Sequence, residues 1–393
     1  MWFNAFGEHV ANPVYGFFPA QRRRELNENE TMTASQFIEN TIRPEVRSMH
    51  AYPVASPWPG IKLELMEDAH LDDPVATSDL RNALAAAVAA SAFNRYPDPS
   101  APALKAKLRE KLGIAAHHDV LLGTGSDEII TMLSQAILAG GGTVLSLEPS
   151  FSVFKNAAVA VAGRYVGVSL NADFTLDLVA MLAAIEREQP KLIWIVYPNN
   201  PTGNLYPDEA IDKIIRAAPG LVVIDEAYEP FAQLSWKSRI DEFPNLLIMR
   251  TLSKIGLAGV RLGYIFGASE WIDAINKVRG PFNVGVLQQV AATVLLDHYE
   301  ELKSHATLMI AERERLLAFL QTLPNVTPFP SLANFVLVRF ADANAVFAAL
   351  KTRGILVRNL SGMHPLMVGT LRISVGTAAQ MDALIVALKE IVL

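Results

Sequence analysis

A series of short apolar runs constrains this chain more than any other feature of it. After Asp119-Val120-Leu121-Leu122 they fall at 143–147, 165–170, 192–197, 221–224, 246–249 and 264–266. Each reads as a buried strand, and the stretches between them read as helices. A chain that alternates strand and helix in this way forms an α/β domain with a mostly parallel, doubly wound sheet. Ligands of such sheets gather at the carboxyl ends of the strands, so the residues that follow each run are the ones to inspect.

The flanks are built differently. A helix is expected over 33–42, after which Pro44, Pro53, Pro57 and Pro59 punctuate an extended arm and 61–65 suits a short strand. Ser78-Asp79 suits the N-cap of a helix over 80–93, and a second helix is expected over 101–112. Beyond Gly285 the pattern predicts a helical stretch over 286–320, strands at 334–340, 354–358 and 370–375, and helices at 344–352 and 379–391. The expected organisation is a tail (1–31), an arm (32–75), a large domain (76–285) and a smaller α+β domain (286–393).

At 393 residues, 51% hydrophobic and 19% charged, the chain is long enough for two sizeable cores. A net charge of -6 argues against nucleic acid or an anionic membrane as the main partner, since either needs a dense basic face. With no cysteine, disulfides and thiolate metal sites are excluded, and a reducing, cytoplasmic setting is consistent with this. No apolar run approaches the about 18 residues of a spanning helix. Residues 1–31 mix aromatics with Arg22-Arg23-Arg24 and acids, lack the pattern of a secretory signal, and read as a tail or a mis-assigned start ahead of Met32.

Four strand ends carry chemistry. Gly123-Thr124-Gly125-Ser126-Asp127-Glu128 precedes a helix expected over 129–138, and free amides at such a start can cradle a phosphate; a plain turn with an N-cap fits equally. Pro198-Asn199-Asn200-Pro201-Thr202-Gly203 is a stiff loop able to aim an amide into a cleft, or an ordinary turn. Asp225-Glu226-Ala227-Tyr228 ends an apolar strand with a carboxylate able to hold a buried cation, or to cap a helix. Thr251-Leu252-Ser253-Lys254 places an amine among Leu252, Ile255 and Leu257, with Arg261 seven residues on. Desolvation would make Lys254 a nucleophile toward a carbonyl carbon; the alternative is a lysine that snorkels to water.

Taken in order, and with Asn94-Arg95-Tyr96-Pro97 and Leu371-Arg372-Ile373-Ser374-Val375-Gly376-Thr377, these motifs resemble the fold-type I pyridoxal-phosphate-dependent aminotransferases, and among them the histidinol-phosphate group. The resemblance covers about Arg43 to the C-terminus. It implies that Lys254 bonds the aldehyde of pyridoxal 5'-phosphate and then carries a proton, that Asp225 keeps the pyridine nitrogen protonated, and that Asn200 and Tyr228 hold the ring oxygen. It implies Phe151 against the ring face and Ser126, Asp127, Ser253 and Arg261 around the phosphate beside Gly125. Tyr96 would reach the phosphate of a second subunit, which implies a homodimer. Arg372 and Arg358 would bind the anionic groups of the substrates.

The implied reaction moves an amino group between L-histidinol phosphate and 2-oxoglutarate, in histidine biosynthesis. An aromatic amino acid aminotransferase and a threonine-phosphate decarboxylase are the alternatives on the same scaffold. Where relatives show Glu-Asn-Pro-Tyr this chain has Glu67-Asp68-Ala69-His70, which puts His70 in place of a tyrosine expected to touch the substrate. His117-His118-Asp119 is not expected to bind a metal, because adjacent side chains diverge and no further ligand is evident nearby.

Overall fold

A computed structural model describes residues 32–50 and 57–393. The expectations for the tail 1–31 and for Pro53 lie outside the described residues. The chain divides into two units, Met1–Ser48 and Met49–Leu393. The described part of the first consists of helix Ala34–Thr41, opened by a Thr33–Gln36 capping box, and a single turn, Pro44–Arg47, with proline at its first position.

In the second unit the strands are, in chain order, β1 (Ile61–Lys62), β2 (Asp119–Thr124), β3 (Thr143–Glu148), β4 (Arg164–Ser169), β5 (Leu192–Val196), β6 (Leu221–Asp225), β7 (Leu246–Thr251), β8 (Leu262–Gly267), β9 (Val326–Pro328), β10 (Phe335–Phe340), β11 (Ile355–Leu356), β12 (Arg358–Asn359) and β13 (Thr370–Ser374). The first large sheet has the order β2-β8-β7-β6-β5-β3-β4. Its strands β3 to β7 pair in parallel, and β8 lies antiparallel between β2 and β7. The sheet is therefore mostly parallel, as the alternating pattern predicts, with a single reversed strand.

The reason lies in the side chains. β5, β6, β7 and β8 are buried along their whole lengths, so both faces must be covered by helices. Alternate residues feed two cores: Ile193, Ile195, Val222 and Ile224 enter one, while Leu192, Trp194, Val196, Leu221 and Val223 enter the other. The second sheet, β12-β13-β10-β9, is antiparallel and packs with helices Tyr299–Leu320 and Ala378–Val392 around a third core. That core also takes in Leu63, Met66 and Tyr228, which ties the segment after β1 and the end of β6 to the second sheet.

Several boundaries differ from the sequence expectation. The helix after β2 begins at Gly125, not at residue 129, because Gly125 takes a left-handed conformation (φ 75°) and Asp127 and Glu128 favour a helix start. The stretch 286–320 is two helices, Val286–Asp297 and Tyr299–Leu320, broken at His298, whose ring faces Glu301 (Nδ1 to Oε2, 3.1 Å) in the next turn. Residues 354–358 change partners midway: β11 pairs with β1, and β12 pairs with β13. The strand expected over 61–65 stops at Lys62, since beyond it Leu63 bonds to Leu356 and to Ser374 in two different strand pairs. The helix over 80–93 runs instead from Ser78 to Ala89, with Thr77 at the cap position.

Candidate active site

The carboxyl ends of β6 and β7, the β2–helix turn and the loop after β5 enclose one cavity of about 660 Å³. Ser126, Asp127, Phe151, Asn200 and Asp225 line it, as do Tyr228, Ser253, Lys254, Arg261 and Arg372. Ten residues singled out from sequence are thus brought to one cavity. Gly125, Tyr96 and Arg358 stand outside the lining.

Lys254 follows β7 and keeps surface toward the cavity while protein surrounds its stem. Its Nζ donates to the carbonyl of Leu65 (3.1 Å). Burial, reinforced by the positive charge of Arg372, pushes the amine down to about 8. About a tenth is therefore unprotonated at pH 7, far more than for an ordinary lysine, and that is the form able to attack a carbonyl carbon.

Asp225, the last residue of β6, is 4% exposed and accepts from the Ala227 amide (3.0 Å). Burial raises its carboxyl to about 7, with the charges of Asp127 and Glu226 adding to the effect. A carboxylate so placed favours a cationic partner.

Asn200 is fixed from both ends of its amide: Oδ1 accepts from Arg372 Nη1 (2.6 Å), and Nδ2 donates to the Tyr228 hydroxyl (3.0 Å). Arg372 also donates from Nη2 to the carbonyl of Glu64 (2.9 Å). Asn199 does different work. It accepts from Ser150 and donates to the carbonyl of Pro149 (2.9 and 3.0 Å), so it shapes the loop from within and leaves Asn200 to face the cavity. Phe151 lines the cavity and meets Phe154 edge-on, which in turn stacks on Trp194 (4.4 Å between centroids).

At the opposite end, Gly125 and Arg261 are in close register. The Gly125 amide donates to the Arg261 carbonyl (2.9 Å), and a Cβ on Gly125 would lie 2.5 Å from Arg261 Nη2. The guanidinium pairs with Asp127 (2.9 Å), and Thr251 and Ser253 join their hydroxyls (2.9 Å). The earlier helix start puts the Ser126 and Asp127 amides in the first helical turn, where they have no partner in their own helix.

Arg358 sits opposite Arg372 in the β12–β13 register and donates to Glu64 Oε1 (2.6 Å). Tyr96 is 80% exposed and stacks on Phe282 (4.4 Å). His70 does not line the cavity: its ring lies 3.3 Å from Asp68 and stacks beside His305 (5.2 Å). Glu64, the Leu65 carbonyl and Asn156, which also lines the cavity, escaped the sequence reading. Glu64 falls inside the short apolar segment after β1, and a backbone carbonyl leaves no trace in a sequence. The divergence expected of His117 and His118 is also corrected. Their rings are 4.1 Å apart and both meet Asp241, from a distant part of the chain.

The sequence profile of the aminotransferase class I and II family matches residues 66–388. This chain belongs to that family. A histidinol-phosphate aminotransferase of Chromobacterium violaceum is 48% identical over 353 residues, covering 90% of this chain and 98% of its own. Histidinol-phosphate aminotransferase 2 of Bordetella parapertussis is 47% identical over 363 residues, with coverage of 92% and 98%. Among solved structures, a histidinol-phosphate aminotransferase from Sinorhizobium meliloti in complex with pyridoxal-5'-phosphate superposes with a TM-score of 0.77 at 27% identity, covering 90% of this chain and 97% of its own. For this aminotransferase, the matched region holds all ten of the sequence-identified residues that line the cavity.

Proposed function

We propose that this chain transfers the amino group of L-histidinol phosphate to 2-oxoglutarate, with pyridoxal 5'-phosphate as cofactor, as a step of histidine biosynthesis. The observation that carries the reading is the 48% identity to the Chromobacterium violaceum relative across nearly the whole of both chains. The cavity fits the cofactor on its own terms. A buried carboxyl suited to a cation (Asp225), an amine lowered to about 8 (Lys254) and an arginine beside a glycine that leaves no room for a Cβ (Arg261) occupy three parts of one cavity.

Bound there, the cofactor would supply an electron sink that stabilises charge at the donor's reacting carbon. Lys254 Nζ would bond its aldehyde and, once released, move a proton to and from the donor's Cα. Asp225 would hold the proton on the ring nitrogen through a charge-assisted bond. Asn200 and Tyr228, already joined to each other, would orient the ring oxygen, and Phe151 would cover one ring face. The amides of Ser126 and Asp127, the Ser253 hydroxyl and the Arg261 guanidinium would bind the phosphate, with Arg261 drawn from Asp127 toward the stronger anion.

Arg372 would take the carboxylate of 2-oxoglutarate or glutamate. Arg358 would be released from Glu64 to meet the second anionic group, since one cleft must accept two anions in turn. The reading includes a homodimer, with Tyr96 completing the phosphate site of the second subunit. The exposure of Tyr96 and of its stacking partner Phe282 supports this. It also divides the chain at 75/76 and 285/286 and places the protein in the cytoplasm. No helix among the described residues is long and apolar enough to cross a membrane.

The test is a donor panel at fixed 2-oxoglutarate. Histidinol phosphate should give a kcat/KM at least about 100-fold above those of phenylalanine and tyrosine, a discrimination that recognition of the donor's own polar groups can supply. Comparable or faster turnover of the aromatic donors, or release of CO2 from phosphothreonine, would reject it.

A further inference from the structure

We infer that His117, His118 and Asp241 form a binding site for one divalent cation of the zinc class, remote from the amino-transfer cavity. The three groups come from two distant parts of the chain, the two residues before the start of β2 and the short helical stretch Trp236–Glu242. His117 Nε2 and His118 Nε2 lie 3.0 and 2.7 Å from the same carboxylate oxygen, Asp241 Oδ1, and His117 Nε2 is 3.2 Å from Oδ2. One ligand atom from each residue falls within a set spanning at most 4.8 Å.

That spacing suits a small cation. Four-coordinate zinc has bonds of about 2.0–2.2 Å, which set neighbouring ligand atoms about 3.3 Å apart, so the histidine–carboxylate distances would open by a few tenths of an ångström and any wider pair would draw in. His118 is buried (5% exposed), which restricts its ring to this direction, while His117 and Asp241 are open to solvent and give an ion a way in. The groups line a cavity of about 280 Å³, in which water would complete the coordination of a bound ion. Two imidazoles with one or two carboxylates favour zinc, nickel or copper over magnesium and calcium, which prefer all-oxygen sites.

None of these residues lines the amino-transfer cavity. A cation here would fasten the start of β2 to the Trp236–Glu242 stretch, and its effect would fall on stability, with turnover unchanged.

The experiment titrates ZnCl2 into metal-free, untagged holoenzyme against a chromogenic chelator, and follows the melting temperature in parallel. The expected result is saturable binding of one zinc per chain at this site, weakened at least about tenfold in H117A and in D241N, with a zinc-dependent rise in melting temperature only in the wild type. H117A alters an exposed side chain and D241N keeps the shape of the carboxylate, so both should fold, and unchanged kcat would confirm it. Zinc binding of equal strength in wild type and H117A would place the ion elsewhere and overturn the inference. So would the absence of saturable binding up to about 100 µM zinc, leaving the three residues as a hydrogen-bonded clamp only.

Discussion

Two groups in the cavity titrate away from their ordinary ranges, and each makes a prediction. Lys254→Ala should lower turnover by at least about 10³-fold, as loss of a group that both bonds and transfers a proton requires, and leave the cofactor exchangeable by dialysis. A steady-state assay and the absorbance of the dialysed protein read both outcomes. Asp225 has a folded pKa of about 7, raised above its unfolded value of 3.8, so its burial is tolerated while it is protonated and costs stability as pH rises through about 7. The cofactor-free Asp225→Asn protein should therefore melt at or about 2 °C above cofactor-free wild type near pH 8, while retaining cofactor poorly and losing about 10²-fold or more in kcat. Lys254 has the opposite linkage: its depressed pKa favours the fold above 10.5, and that contribution is lost as pH falls through about 8. A lower melting temperature for Asp225→Asn at that pH would show that the carboxyl is not held against its charge.

At the scale of elements, most of the site was legible because each group follows a strand whose apolar sequence announces it. Asp225 ends β6, Lys254 follows β7 and Asn200 follows β5, so finding the strands finds the residues. What was illegible comes from contacts between elements. The Leu65 carbonyl under Lys254 and Glu64 between Arg358 and Arg372 belong to a segment that leaves β1 and is held by Ser374, 308 residues away from Met66. No local pattern encodes such pairing, and for the same reason the Asp241 partner of His117 and His118 was out of reach. The helix start at Gly125 has no plain sequence signal, because glycine suits a loop as readily as the abrupt left-handed step into a helix that it takes here. Gly125→Ala tests that step. It forces an L-residue to φ 75° at a cost of about 1–2 kcal/mol, and its Cβ would displace the Arg261 side chain. Cofactor dissociation measured by fluorescence should weaken about tenfold; unchanged affinity would mean that the Gly125–Arg261 contact does not shape the phosphate end.

For the whole molecule, the two sheets share side chains around the cavity. Tyr228 and Met66 belong to the core of the second sheet, yet both line the cavity at the edge of the first. The sequence pattern distinguished the two sheets well but could not show that the segment after β1 joins them. The proposed homodimer adds a further test, since a site that a second subunit completes would be incomplete in a monomer. Tyr96→Phe should leave a dimer by light scattering but raise the cofactor dissociation constant several-fold, by about 1 kcal/mol for one hydrogen bond; unchanged retention would remove Tyr96 from the phosphate site. The most direct measurement of the proposed activity is the half-reaction without 2-oxoglutarate. One equivalent of histidinol phosphate added to the holoenzyme should convert the cofactor's visible absorbance to that of its amine form, without CO2, and 2-oxoglutarate should restore it. No conversion with histidinol phosphate, alongside rapid conversion with tyrosine or phenylalanine, would contradict the assignment.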